Sequence, residues 1–273
     1  MSVSQTIVER PPPRARGWPR TRIIGYGLVG FWILFGLGIV AYLVYAWNGE
    51  FFAKYAPGYL QGLGTTLSLV AISMVVGAIF SLPVTYARMS KNRILSVLAY
   101  CYVYFFRGTP LLVQVYLVYY GVGSFRAELE SIGLWWFFRD AFNCGVFAFA
   151  LNTAAYQAEI LRGAIESVPK GQWEGAASLG LHKVLTLRKI ILPQAIVVAL
   201  RPYGNELILM IKASAIVAII TVYDLMGNAK LAFAKSFDIQ AYIWVALVYL
   251  VMVEILRHAI EWIERRITIH LKR

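Results

Sequence analysis

Charge is scarce in this sequence, and acid is scarcer than base. Of 273 residues only 15% are charged, with 14 acidic against 26 basic. Soluble domains usually carry about 25% charged residues, so a water-soluble globule is a poor first reading. Cysteine is nearly missing. Cys101 and Cys144 both sit inside apolar runs, which leaves neither a disulfide framework nor a zinc spacing. Three histidines, His182, His258 and His270, form no H-E-x-x-H pattern, and no G-x-x-x-x-G-K-[ST] phosphate cradle is present. The chain therefore reads as no enzyme: it binds no metal and no nucleotide cofactor of its own.

What fills the space is hydrocarbon. Hydrophobic residues make up 59% of the chain. A bilayer-spanning helix needs about 20 mostly apolar residues. Six segments qualify: 23–46, 59–87, 95–122, 142–161, 190–222 and 239–260. The formal charge of +12 suits either nucleic acid or an anionic lipid surface. The basic residues gather at the ends of apolar runs, so the lipid bilayer is the expected partner and nucleic acid is not. The first run resembles a secretory leader but is too long for one; it reads as a retained membrane helix.

Lysine and arginine set the orientation. Eighteen of them fall in the N-terminal tail, the 88–93 loop, the 162–189 loop and the C-terminal tail; six fall in the alternate loops. Both termini are thus expected in the cytoplasm, across an inner membrane. Within 59–87, Gly77, Ser81 and Thr85 recur at four-residue spacing, a stripe suited to close helix packing. The fifth segment holds Pro193, Arg201, Pro202 and Lys212. It predicts a span over 190–211 followed by a broken or re-entrant piece near 213–222. Trp135, Trp136, Phe137 and Phe138 predict an interfacial belt on the outer side.

One cytoplasmic stretch is unlike its neighbours: "EGAASLGLHKVLTLRKIILP", 174–193. Ser167-Val168-Pro169 reads as a helix start with a capping hydroxyl. Gln172 to Leu179 suit a short helix that Gly180 closes, and a second turn from Val184 to Ile191 leads back to the membrane. Small residues leave the first helix flat. Such a helix can lie in a groove of another protein; equally, it can be an ordinary loop resting on the lipid surface.

Glu174-Gly175-Ala176-Ala177-Ser178-Leu179-Gly180, then Ile191-Leu192-Pro193 after a spacer, resembles the "EAA loop" of bacterial ABC importer permeases, with Gly175 in place of the first alanine. "GLGTTLSLVAISMVVG", "FRGTPLLVQVYLVYYG", "LNTAAYQAEILRGAIESVPKGQWEGA" and "RPYGNELILMIKASA" are similar to the polar amino-acid branch, and most similar to the M-type subunit of histidine/lysine/arginine/ornithine and octopine/nopaline importers. The resemblance implies an all-α polytopic membrane protein of about six transmembrane helices with the type I importer fold. It divides the chain into a basic tail (1–22), an additional helix (23–46), the permease region (59–262) with a coupling segment (167–191), and a second tail (263–273).

It also implies partners: an ABC ATPase dimer that hydrolyses the ATP, a paralogous permease subunit, and a periplasmic solute-binding protein. Glu174 to Gly180 and Lys183 become the ATPase-coupling residues. An ion-coupled carrier working alone, or a scaffold with no path, are the alternatives. For the cargo route, ionisable groups inside spans are costly and face wet interiors. The candidates are Glu206, Arg201, Asn205, Asn152, Tyr156, Glu159 and Gln114, with Arg107 and Lys212 as further charges. Asn152, Tyr156 and Glu159 share one helical face. Glu206 is the leading candidate for touching cargo. Glu159 has a structural alternative, pairing with Arg162 or Arg88, and Arg107 has one in bracing a break at "RGTP".

Overall fold

The computed structural model describes residues 19–268. The basic tail expected over 1–22 lies almost wholly outside them, as do residues 269–273. Every regular element among the described residues is helical. The chain divides into two compact units, residues 1–52 and 53–273.

The first unit is built on α1 (Arg20–Tyr45), which opens after the extended Pro19. From Ile23 to Val40 its large aliphatic and aromatic side chains, Ile39 excepted, are more than half exposed. Phe31, Trp32 and Phe35 stack on one another along one side. Asn48 then accepts the Phe51 N–H at 3.1 Å and starts the next helix.

That helix, α2 (Gly49–Arg88), is longer than the expected span. It begins ten residues before position 59 and runs through Pro57 and Pro83. At 1.5 Å per residue its 40 residues reach about 60 Å, twice the hydrocarbon thickness. Its hydroxyls return to the helix backbone: Thr65 donates to Gln61, Ser68 to Thr65, Ser81 to Ala78 and Thr85 to Ser81. A helix rich in Ser and Thr thereby satisfies its polar groups without water.

Much of the remaining packing is made on one helix, α7 (Ala141–Glu166). α3 (Arg93–Gly108) is capped by Asn92, whose side chain accepts the Ile94 and Leu95 amides. It bends by 106° into α4 (Leu111–Tyr116), which continues as a π-turn (Leu117–Gly121) and a 3-10 turn (Val122–Ser124). α5 (Arg126–Ser131) ends at Gly133, whose φ is +71°. The four aromatics of the expected belt form α6 (Trp135–Phe138), with Arg126 stacked 5.2 Å over Trp135.

After α7 come α8 (Lys170–Ser178), α9 (Lys183–Thr186) with a π-turn (Leu187–Ile191), and α10 (Leu192–Ser214). The predicted break follows: a 3-10 turn (Ala215–Ile220) and a left-handed Thr221 at φ 65°. Asp224 then caps α11 (Leu225–Ser236), accepting the Gly227 N–H at 2.7 Å. α12 (Gln240–Thr268) closes the fold.

Among the described residues four helices are long and apolar enough to cross a membrane: α1, α2, the run from Lys183 to Ile220, and α12. The bent α3–α4 pair supplies a fifth. α7 is more polar, carrying Asn143, Asn152, Gln157, Glu159, Arg162 and Glu166, although its 26 residues reach about 39 Å. It is wrapped by α10, α3 and α4, and much of its length is buried Ala, Gly, Asn, Thr and Gln. A helix enclosed by protein has no need to dissolve in lipid.

The small-residue stripe of α2 lies along α7. Ser73 donates to the Val146 carbonyl at 3.3 Å, and Thr85 to the Ala158 carbonyl at 3.2 Å. Between them a side chain on Gly77 would overlap Thr153 and stand 3.2 Å from the Ala150 carbonyl. Contact positions advance together on both helices, so α2 and α7 run parallel, as alternate crossings require.

Two hydrophobic clusters flank a polar layer. One includes Leu69, Val115, Phe149, Ile211, Ile220 and Val245. The other joins Leu161, Ile165, Val168, Ile191 and Ala195 near the end of α7 and the start of α10.

Candidate functional site: an exposed short helix and a polar layer

Residues 167–191, the expected coupling segment, begin differently from the sequence expectation. Ser167 does not cap α8: its hydroxyl turns back to the Ala164 carbonyl at 2.7 Å, one turn earlier on α7. Pro169 occupies the cap position with no side-chain bond, and the helix starts at Lys170 rather than Gln172. Proline suits this place because it presents no N–H to leave unpaired.

The end is as predicted. Gly180 takes φ +72°, its N–H bonds to the Ala177 carbonyl at 2.9 Å, and the Leu181 N–H reaches the Ala176 carbonyl at 3.1 Å. This pair of bonds is the Schellman closure, which favours glycine for its freedom at positive φ.

α8 has two faces. Ala176 is buried, and Trp173 packs against the cluster of Leu161, Val168 and Ile191. Glu174, Gly175, Ala177, Ser178, Leu179, Gly180 and Lys183 are exposed. Gly175 has open space around it. Leu179 and Val184 offer large apolar side chains at 79% and 69% exposure. The outer face is thus flat in the middle and apolar at its end.

The inner face is tied to two membrane helices at once, because one cluster holds α8, the last turns of α7 and the start of α10. His182 caps α9 by accepting the Leu185 N–H at 3.3 Å. From there the helix runs into α10 through a π-turn, in which the Leu192 N–H bonds to the Leu187 carbonyl. Pro193 lacks an N–H, and the wider turn lets the helix pass it.

The polar layer lies farther along α7 and α10. Glu206 is buried and accepts the Thr153 hydroxyl at 2.9 Å; Gln157 donates to the same hydroxyl at 3.1 Å. The Arg107 guanidinium stacks 5.1 Å over the Tyr156 ring. Glu159 pairs with both of its expected partners, Arg88 at 2.8 Å and Arg162 at 2.8 Å.

Two cavities, of about 390 and 330 Å³, open on either side of this wall and share Arg107, Tyr156 and Glu159. Gln114 and Asn152 lie behind it. Their amides bond to each other at 2.9 Å and to the Phe106 carbonyl at the α3–α4 bend.

The sequence candidates therefore separate. Tyr156 and Glu159 share the two cavities with Arg107, while Glu206 is buried against Thr153 and lines neither. Arg201 and Asn205 face elsewhere, onto a groove of about 800 Å³ between α10 and α12. There Arg201 is largely exposed and bonds Glu264 at 2.6 Å. Asn205 and Glu206 are neighbours in sequence, about 100° apart on the helix, and so occupy opposite settings.

Thr153 and Gln157 were not singled out from sequence. Their signal was available: they sit four apart on α7, facing the Gly77 stripe. Among the described residues no group of three His, Cys, Asp or Glu side chains is placed to hold a metal ion.

This arrangement of a buried central helix, a sharply bent helix pair and a short exposed helix has relatives. Residues 73–269 match the model of the family described as binding-protein-dependent transport system inner membrane component. The chain is 45% identical over 195 residues to the nopaline transport system permease protein NocM of Agrobacterium fabrum, covering 71% of this chain and 81% of that one. It is 35% identical over 213 residues to the arginine ABC transporter permease protein ArtM of Escherichia coli K12, covering 78% and 96%. Its fold is similar to a chain in the crystal structure of an amino acid ABC transporter with histidines, at TM-score 0.71 and 36% identity, covering 80% of this chain and 98% of that one. With this match over most of its length, the chain belongs to the family of inner membrane components of binding-protein-dependent transport systems.

Proposed function

We propose that the chain is the permease subunit of an ATP-driven importer that moves basic amino acids or opines across the inner membrane. The observation that carries this reading is the double-faced α8. Its outer face is free for a soluble partner, and its inner face is locked to the ends of α7 and α10. A push on that helix reaches two membrane spans through packed side chains.

The partner on the outer face is an ABC ATPase dimer, which supplies the hydrolysis this chain has no phosphate cradle to perform. A paralogous permease subunit completes the passage, and a periplasmic solute-binding protein delivers cargo. Residues 59–262 form the permease region, 167–191 the coupling segment and 23–46 an additional helix; both tails, 1–22 and 263–273, are cytoplasmic. A reporter fused before residue 20 is expected on the cytoplasmic side.

The cargo class is supported by the charges of the cavity wall and of the buried layer behind it. A basic amino acid carries one carboxylate and an extended cation. Arg107 can take the carboxylate. Glu206, buried between α7 and α10 and lining neither cavity, is the acid available to the cationic end, its carboxylate paired with the neutral Thr153 hydroxyl. Glu159, held between two arginines, is largely neutralised before any cargo arrives. The names of relatives, nopaline and arginine permeases, support the same class.

The test is uptake by the purified complex in vesicles, with its binding protein, using arginine, histidine, octopine and nopaline. Import that needs both ATP and the ATPase subunit is expected. Import by this chain in vesicles lacking an ATPase would contradict the reading and favour an ion-coupled carrier.

A further inference from the structure

Pro110 has no N–H, so the Phe106 carbonyl four residues earlier cannot receive the helical hydrogen bond its position calls for. Inside a bilayer no water takes its place. Two side chains do. Gln114 Nε2 donates to the Phe106 carbonyl at 2.9 Å, and Asn152 Nδ2 donates to it at 3.0 Å.

The same two amides close the rest of the bend. Gln114 Nε2 also reaches the Thr109 carbonyl at 3.1 Å and the Thr109 hydroxyl at 2.8 Å, while Asn152 Nδ2 donates to Gln114 Oε1 at 2.9 Å. Both side chains are almost fully buried, and neither lines the cavities beside Arg107. Arg107, the residue after the orphaned carbonyl, lines both.

We propose that Gln114 and Asn152 are positioning residues. They hold the 106° bend between α3 and α4 and through it seat Arg107 against Tyr156, without touching cargo. This rests on the reading of the passage given above. It takes both residues out of the cargo-contact set and assigns them to the geometry of the one arginine on the wall.

Asn152→Asp separates the two roles. The carboxylate keeps the shape of the amide but, ionised, accepts hydrogen bonds and donates none. A residue that binds a cationic cargo gains from the new charge. A brace loses both of its donations.

The experiment uses the assembled importer in vesicles, with Cys101 replaced by serine. Spin labels go at Tyr104→Cys and Tyr120→Cys, both more than half exposed on opposite limbs of the bend. A straight helix would hold these positions about 24 Å apart, and the bend brings them closer. Asn152→Asp and Gln114→Leu are each expected to broaden and lengthen this distance and to raise the import KM at least tenfold. Adding Pro110→Ala returns the missing N–H. It should recover the melting temperature of Asn152→Asp while leaving the distance long and the KM high.

An unchanged distance in Asn152→Asp, or a lowered KM for basic cargo, would overturn the proposal. So would recovery of import together with stability in the Pro110→Ala double variant, because the amides would then serve stability alone. A complex that imports no basic amino acid, yet whose distance still lengthens in Asn152→Asp, would refute the cargo reading and support the brace.

Discussion

Thr153 donates its hydroxyl to the Glu206 carboxylate at 2.9 Å, joining α7 to α10 in the middle of the polar layer. The same residue abuts Gly77 of α2 and accepts a hydrogen bond from Gln157. Three helices therefore meet at one β-branched side chain whose methyl packs and whose hydroxyl bonds. Its two halves can be tested separately.

Thr153→Val keeps the shape and removes the hydroxyl. Glu206 loses its donor, at a cost of about 1–3 kcal/mol for a buried group left unpaired, while Gln157 loses one acceptor and keeps the Met74 carbonyl at 3.2 Å. A lower melting temperature of the purified complex is expected. Thr153→Val combined with Glu206→Leu should cost less than the two single changes added together, because no buried carboxylate remains to be satisfied. Strict additivity would show that the two side chains are not coupled.

Two glycines predict opposite outcomes. At Gly77 an added methyl meets the stiff Thr153 side chain and the α7 backbone, so Gly77→Ala should destabilise by about 1–3 kcal/mol through overpacking. At Gly175 nothing lies within reach of an added methyl. Gly175→Ala should stabilise α8 slightly, by up to about 1 kcal/mol of helix propensity. Thermal unfolding of the two variants side by side decides this; equal effects would contradict the packing described.

Arginine pairs differ by setting. The Arg88 and Glu159 side chains are 17% and 13% exposed at 2.8 Å. Arg88→Ala leaves a largely buried carboxylate with only Arg162, and should cost about 1.5–3 kcal/mol, the range for hydrogen bonds to charged groups. Arg201 is 78% exposed beside Glu264, so Arg201→Ala should cost less than about 1 kcal/mol. Chemical unfolding of the purified protein reads both, and a reversed order would refute the assignment of burial.

Glu174→Lys places the opposite charge on the exposed face of α8. Insertion and melting temperature should stay normal, because Glu174 supports the fold only through its backbone carbonyl, which accepts the Ser178 hydroxyl at 3.0 Å. Co-purification of the ATPase should fall at least tenfold. Unchanged association would remove Glu174 from the docking surface.

Much of this was legible in the sequence because it is local. Apolar runs marked most of the spans, Gly180 marked the end of α8, and the Gly77–Thr85 stripe marked a helix contact. The misses are contacts made at a distance. Ser167 looked like a cap, but the end of α7 offered its hydroxyl the Ala164 carbonyl one turn back. The first turns of α2 are too polar to read as a span, yet they continue its helix.

The polar candidates show the same limit. Residue type and depth nominated Gln114 and Asn152, but only the fold shows that Pro110 leaves a carbonyl for them to satisfy. Arg201 and Glu206 are five residues apart on one helix, and no period in the sequence told which of them faced the packed interior. Thr153 escaped notice because a threonine inside a span carries no charge to flag it.

The central claim is that α8 is gripped from outside the membrane, and a cross-link tests it most directly. Ala177 is exposed while Ala176 is buried, so a photoactivatable thiol reagent belongs on Ala177→Cys, in a complex with Cys101 replaced by serine. The account predicts an adduct with the nucleotide-hydrolysing subunit and loss of ATP-driven uptake once it forms. Continued uptake with no adduct to that subunit would contradict it.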